Sequence, residues 1–119
     1  MATYTRAMLS GDVHGIGILV VHTANNDADT IHTATSSTTD PGDEVWLWAD
    51  NPDTVAHVLK LWWGGTTAVT NEKVYTIPAL TSDVPLVRGS MLRNSLVVKA
   101  SCETANEVSI RGFVNRITA

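Results

Sequence analysis

Residues 55–65 read VAHVLKLWWGG, a run that is apolar on both sides of an extended chain. Alternate side chains of a strand point to opposite faces. Val55, His57, Leu59, Leu61 and Trp63 therefore share one face, and Ala56, Val58, Lys60 and Trp62 the other. A strand with one wet face alternates apolar and polar residues, and only Lys60 does so here. Both faces need cover. The chain has 119 residues, enough for one domain and not comfortably two, so little is left over for a second covering layer. The expectation is that another chain covers one face.

The rest of the sequence is read as strands. No window repeats apolar residues at three- and four-residue spacing behind a cap, and threonine, valine and tryptophan favour extended structure. Residues 3–9 form an edge strand or a free arm, so residues 1–10 stand apart from a single domain over 11–119. Residues 15–23 (GIGILVVHT) read as a strand with a bulge or close approach at Gly15 and Gly17. A turn at Asn25-Asn26-Asp27 leads to a polar strand over 29–35, and Pro41-Gly42 ends a loop over 36–43. Residues 44–50 (EVWLWAD) are again apolar on both faces, with Trp46 and Trp48 on one side and Val45, Leu47 and Ala49 on the other. Asn51-Pro52-Asp53 then reads as a turn pairing this strand with 55–63 in a hairpin. Strands follow over 72–77, 84–87, 95–102 and 107–117, with a loop over 89–94. Gly112 is expected to reset the register of the last strand. Eight or nine short strands at this spacing predict an all-β, antiparallel, jelly-roll-like sandwich.

Composition narrows the function. A single cysteine, Cys102, excludes an intrachain disulfide framework and fits a reducing compartment. The longest apolar run, 16–21, is too short to span a bilayer, and no signal peptide is visible. The net charge of −4 is unevenly spread: residues 1–59 hold one base against eight acids, and residues 60–119 hold seven bases against four acids. Kept apart in the fold, these halves would make an acidic and a basic end suited to ordered association. Interleaved, they would cancel.

Signals for chemistry are weak. His14, His22, His32 and His57 are no closer than eight residues to one another, without the paired spacing of a strand-borne metal site. Asn25, Asn26, Asp27 and Asp29 lack the spaced ligands of a calcium loop. There is no G-x-S-x-G elbow, no phosphate loop, and no basic stretch interleaved with aromatics for nucleic acid. Cys102 reads as buried and inert. The expectation is a non-enzyme without cofactor or metal. The tryptophans remain. Trp63 faces with Leu59 and Leu61 and reads as core. Trp46, Trp48 and Trp62 are placed on an outer face, where exposed aromatics mark a binding surface. Tryptophan and arginine favour a protein partner, and a sugar platform stays second. Arg88, Arg93 and the 89–94 loop are the polar contact candidates.

Leu59-Lys60-Leu61-Trp62-Trp63-Gly64-Gly65-Thr66-Thr67, Ile77-Pro78, Pro85-Leu86-Val87, Leu92-Arg93-Asn94, residues 96–100 and residues 108–117 together resemble small structural proteins of tailed bacteriophages. The resemblance covers roughly the last half of the chain and brings no catalytic signature. It implies a virion component, in the first place a capsid decoration (cement) protein. Such a protein would form homotrimers, bind the major capsid protein on the capsid exterior and be assembled in the host cytoplasm. A tail-associated glycan-binding module, or a head–tail joining or tail-tube subunit, are the alternatives. Neither nucleic acid nor membrane is an expected partner.

Overall fold

A computed structural model describes residues 2–24 and 27–119. The turn and calcium readings at Asn25 and Asn26 lie outside the described residues. The chain forms β1 (Thr3–Met8), β2 (Ile18–Leu19), β3 (Asp29–Thr33), β4 (Gly42–Asn51), β5 (His57–Trp63), β6 (Glu72–Ile77), β7 (Thr81–Leu92), β8 (Val97–Cys102) and β9 (Ser109–Thr118). They make two packed antiparallel sheets. Sheet A runs β1-β9-β4-β7, and sheet B runs β3-β8-β5-β6. β1 takes residues 113–118 of β9 and β2 takes residues 109–110, so both lie along one edge of that strand. The pairs nest: β1 with β9, β3 with β8, β4 with β7, β5 with β6. This is an all-β sandwich wound in the jelly-roll manner. No helix among the described residues is long and apolar enough to cross a membrane.

The core follows from strand alternation. Val45, Leu47 and Ala49 of β4 and Ile110 and Val114 of β9 are buried. They meet Leu59 and Leu61 of β5, Val98 and Ala100 of β8, and Ile31 of β3. Trp63 packs against this core while keeping partial exposure. Each sheet draws strands from both halves of the sequence, so the uneven charges interleave. Asp43 pairs with Arg116, and Asp50 with Arg111.

Several local readings are corrected. β4 and β5 are not a hairpin. They lie in different sheets, and residues 52–56 form an arch between them. The Asn51 side-chain amide holds this arch, donating to the carbonyls of Val55 (3.0 Å), Ile77 (3.0 Å) and Pro78 (3.2 Å). A turn signal marks a change of direction, but the cover needed by two buried faces decides which sheet each strand joins. Residues 15–23 yield only the two-residue β2. Gly15 (φ 81°) and Gly17 (φ 101°) leave the extended region, and Asp12 Oδ1 accepts from the Val13 and Gly17 amides to close a turn.

The brief strand over 84–87 and the 89–94 loop are mostly one long strand, β7. Its pairing with β4 steps from Val45–Ser90 to Trp46–Arg88. Gly89, at φ 83°, is the extra residue of a bulge that bends the strand without ending it. Gly112 resets nothing: β9 pairs β4 residue for residue from Ser109–Asp50 to Ile117–Gly42. It lies instead where a β-carbon would collide with the Trp46 carbonyl. Residues 3–8 are strand β1, exposed along their whole length at the edge of sheet A.

Candidate functional site

On the second face of β5 the chain itself covers Trp62, while Val58 stays exposed and Lys60 partly exposed. Trp62 is 3% exposed. Its indole donates to Ser101 Oγ at 3.0 Å, and the Lys60 ammonium lies 5.9 Å from the ring. It lines a cleft of about 420 Å³ shared with Thr23, Ala24 and Ala68. Trp62 therefore belongs to the outer side of sheet B and does not join Trp46 and Trp48. Arg93 is also elsewhere, donating to the Asp40 carbonyl at 2.9 Å at one end of the sandwich.

Trp46, Trp48 and Arg88 do come together, on the outer face of sheet A. β4 sends Trp46 and Trp48 outward because Val45, Leu47 and Ala49 point in. The adjacent β9 places Phe113 directly across from Trp46, and β7 places Arg88 on its other side. The ring centroids of Trp46, Trp48 and Phe113 stand 6.5, 6.2 and 6.0 Å apart with interplanar angles of 19°, 15° and 33°. The three rings cluster as a triangle on this face, Trp46 stacked with each of the other two and the Trp48–Phe113 pair tilted. The Trp46 indole leans over Gly89, where a β-carbon would stand 3.1 Å from Cζ2.

The patch has a polar border. The Arg6 guanidinium of β1 sits 4.4 Å from the Phe113 ring centre, within cation–π range. Glu44 Oε1 accepts from Trp46 Nε1 at 2.8 Å and from Asn115 Nδ2 at 3.0 Å. These two bonds hold its carboxyl below the usual carboxylate range. Tyr4, Met8 and Met91 extend the apolar surface to 67%, 56% and 41% exposure. Glu44 follows from alternation along the strand with Trp46, whereas Phe113, Arg6 and Asn115 were not singled out in the sequence. Phe113 and Asn115 on β9 and Arg6 on β1 are distant from β4 in sequence, and the in-register pairing of β9 with both strands brings them to it.

Histidines and carboxylates form a second set of sites. Buried His32 accepts from the Ser10 amide at Nδ1 (3.1 Å) and donates from Nε2 to Asp43 Oδ2 (2.7 Å). Asp43 also takes Arg116 Nε and Nη2 at 2.8 and 2.9 Å. His57, 5% exposed, has both ring nitrogens on carboxylates: Nε2 on Asp53 and Nδ1 on Glu103, each at 2.7 Å. These two bonds, Asp53 first, raise its pKa, and His57 in turn lowers those of both acids. A ligand atom of Glu107 lies within 4.8 Å of those of Asp53 and His57. Contrary to the reading of surface or half-buried histidines, His32 and His57 are buried, and each of His22, His32 and His57 meets a carboxylate. The only local signal was the four-residue spacing of Asp53 and His57.

Fold and surface together define a small jelly-roll β-sandwich with one uncovered aromatic face. No protein-family model matches the chain, and no curated protein or solved structure matches it at a significant level.

Proposed function

We propose that this chain is a non-catalytic assembly protein that associates through the outer face of sheet A, as a capsid decoration protein of a tailed bacteriophage does on the capsid exterior. The observation that carries the reading is the aromatic cluster of Trp46, Trp48 and Phe113, bordered by Arg6 and Arg88 and continued by exposed Tyr4, Met8 and Met91. Contiguous apolar surface rimmed by polar groups is the mark of an interaction site, and tryptophan and arginine are the residues that dominate binding energy. The resemblance of the last half of the chain to phage structural proteins supports the reading. So does the winding, which viral capsid domains share with lectins and cupins; that likeness is fold-level analogy only. The partners proposed are further copies of this chain, as a trimer, and the major capsid protein.

The test is native mass measurement over a wide concentration range, on the natural chain and on Trp46→Ala/Trp48→Ala. A trimer lost in the variant is expected. A chain that stays single at every concentration overturns self-association through this face, and a larger ring favours the joining or tail-tube alternative.

Glycan binding by a tail-associated module is the second reading, favoured by near-parallel rings flanked by Glu44 and Asn115. Saturable sugar binding on a glycan array, abolished by Trp46→Ala, would select it.

A further inference from the structure

At one end of the sandwich, three segments distant in sequence converge on His57. Asp53 comes from the arch after β4, Glu103 follows β8 and Glu107 precedes β9. Asp53, His57 and Glu107 each bring a ligand atom within 4.8 Å of the others. The imidazole is buried, so its two nitrogens have fixed directions. Nε2 faces Asp53, and Nδ1 faces Glu103 on the opposite side of the ring. A histidine that ligates a metal through one nitrogen characteristically donates its other N–H to a carboxylate, which sets the tautomer and aims the ring. Glu103 stands in that relation to His57. Three carboxylates also leave this pocket with more negative charge than one imidazolium balances.

We propose that Asp53, His57 and Glu107 form a binding site for a divalent transition-metal ion, Zn²⁺ in type, with Glu103 as the positioning residue. One nitrogen with two carboxylate oxygens suits Zn²⁺ better than Ca²⁺ or Mg²⁺, which prefer all-oxygen sets. Tetrahedral ligands at zinc distances stand roughly 3.4 Å apart. The 2.7 Å contact between Asp53 and His57 therefore opens, and Glu107 closes in. The ion takes the place of the proton on Nε2, which leaves to solvent. It then ties the β4–β5 arch to the β8–β9 connection, a staple between the two sheets. The site is separate from the aromatic face and does not depend on the association reading.

The test starts from EDTA-treated chain titrated with Zn²⁺, and in parallel with Ca²⁺, by calorimetry and thermal unfolding. One Zn²⁺ per chain and a raised unfolding midpoint are expected. Glu107→Gln keeps both hydrogen bonds of His57, so it should retain the metal-free midpoint and bind Zn²⁺ at least tenfold more weakly. Imidazole ¹⁵N shifts of the natural chain give a reading that needs no variant: Nε2 of His57 should take the metal-bound value. Absence of stoichiometric uptake, equal affinity in Glu107→Gln, Ca²⁺ binding as tight as Zn²⁺, or a shift at a different histidine would each overturn the site.

Discussion

Arg116 reaches down to a carboxylate that has no contact with solvent: Asp43 is wholly buried, and the guanidinium meets both of its oxygens, at 2.8 and 2.9 Å. The same carboxylate accepts from His32 of sheet B and from the Thr35 amide. Sheet A is thus joined to sheet B and to the loop before β4 through one residue. Burial pushes the Asp43 pKa up, but the bonds from Arg116 and His32 outweigh it, and the carboxyl sits below its ordinary value of 3.8. A lowered folded pKa contributes stability that is present above the unfolded value and is lost as pH falls through the folded one. In urea unfolding, the Asp43 share of the stability should be fully present at neutral pH and be lost as pH falls below its ordinary value of 3.8. Asp43→Asn should cost about 3 kcal/mol at neutral pH and flatten that acid dependence.

Asn51 should prove nearly as costly. Its amide serves three carbonyls on the arch and at the end of β6, and it is fully buried. Asn51→Ala leaves those carbonyls without that donor, at about 1–3 kcal/mol, read as a lowered urea midpoint with unchanged slope.

Gly112→Ala tests the close pairing of β9 with β4. The new methyl would be driven into the Trp46 carbonyl and against Leu47 Cδ2. Overpacking of this kind costs about 1–3 kcal/mol, and thermal unfolding should fall accordingly. Because the collision lies beneath the aromatic patch, near-ultraviolet circular dichroism from Trp46 should change as well.

Trp46→Ala should weaken association far more than it weakens the fold. The ring is half-buried on an outer face, and interface hot spots lose about 2 kcal/mol or more on truncation, roughly a thirtyfold rise in dissociation constant. Concentration-dependent sedimentation checks this beside a urea melt of the same variant.

Cys102 should be inert in the folded chain. It is 2% exposed, and burial raises its thiol pKa, so little reactive thiolate is present. A thiol reagent should label it only at the rate of unfolding, and fully in denaturant.

The β character and most strand positions were legible because alternation marks the central strands: Val45-Leu47-Ala49, Leu59-Leu61 and Val98-Ala100 each point inward with polar or aromatic residues between. Partner choice was not legible. Asn51-Pro52-Asp53 looks the same before a hairpin and before an arch, and the bulge at Gly89 looked like a loop because a glycine at positive φ serves either. For the aromatic face, Trp46, Trp48 and Arg88 were visible from the sequence, while Phe113 and Arg6 needed the register of β9 against both neighbours. Trp62 was misplaced because two strands thought to share a sheet were set back to back. His57 was weighed as a metal ligand, but its carboxylate partners were not legible because Glu103 and Glu107 lie about fifty residues away in sequence.

The position of β9 has a consequence for how this protein is made. It lies between β4 on one side and β1 and β2 on the other, so sheet A has a gap at its centre until residues 109–118 emerge from the ribosome. Chains lacking these residues would carry four strands of sheet A with an unfilled seam, open to mispairing with one another. Deletions that reach into β9 should therefore yield aggregates rather than a smaller folded protein.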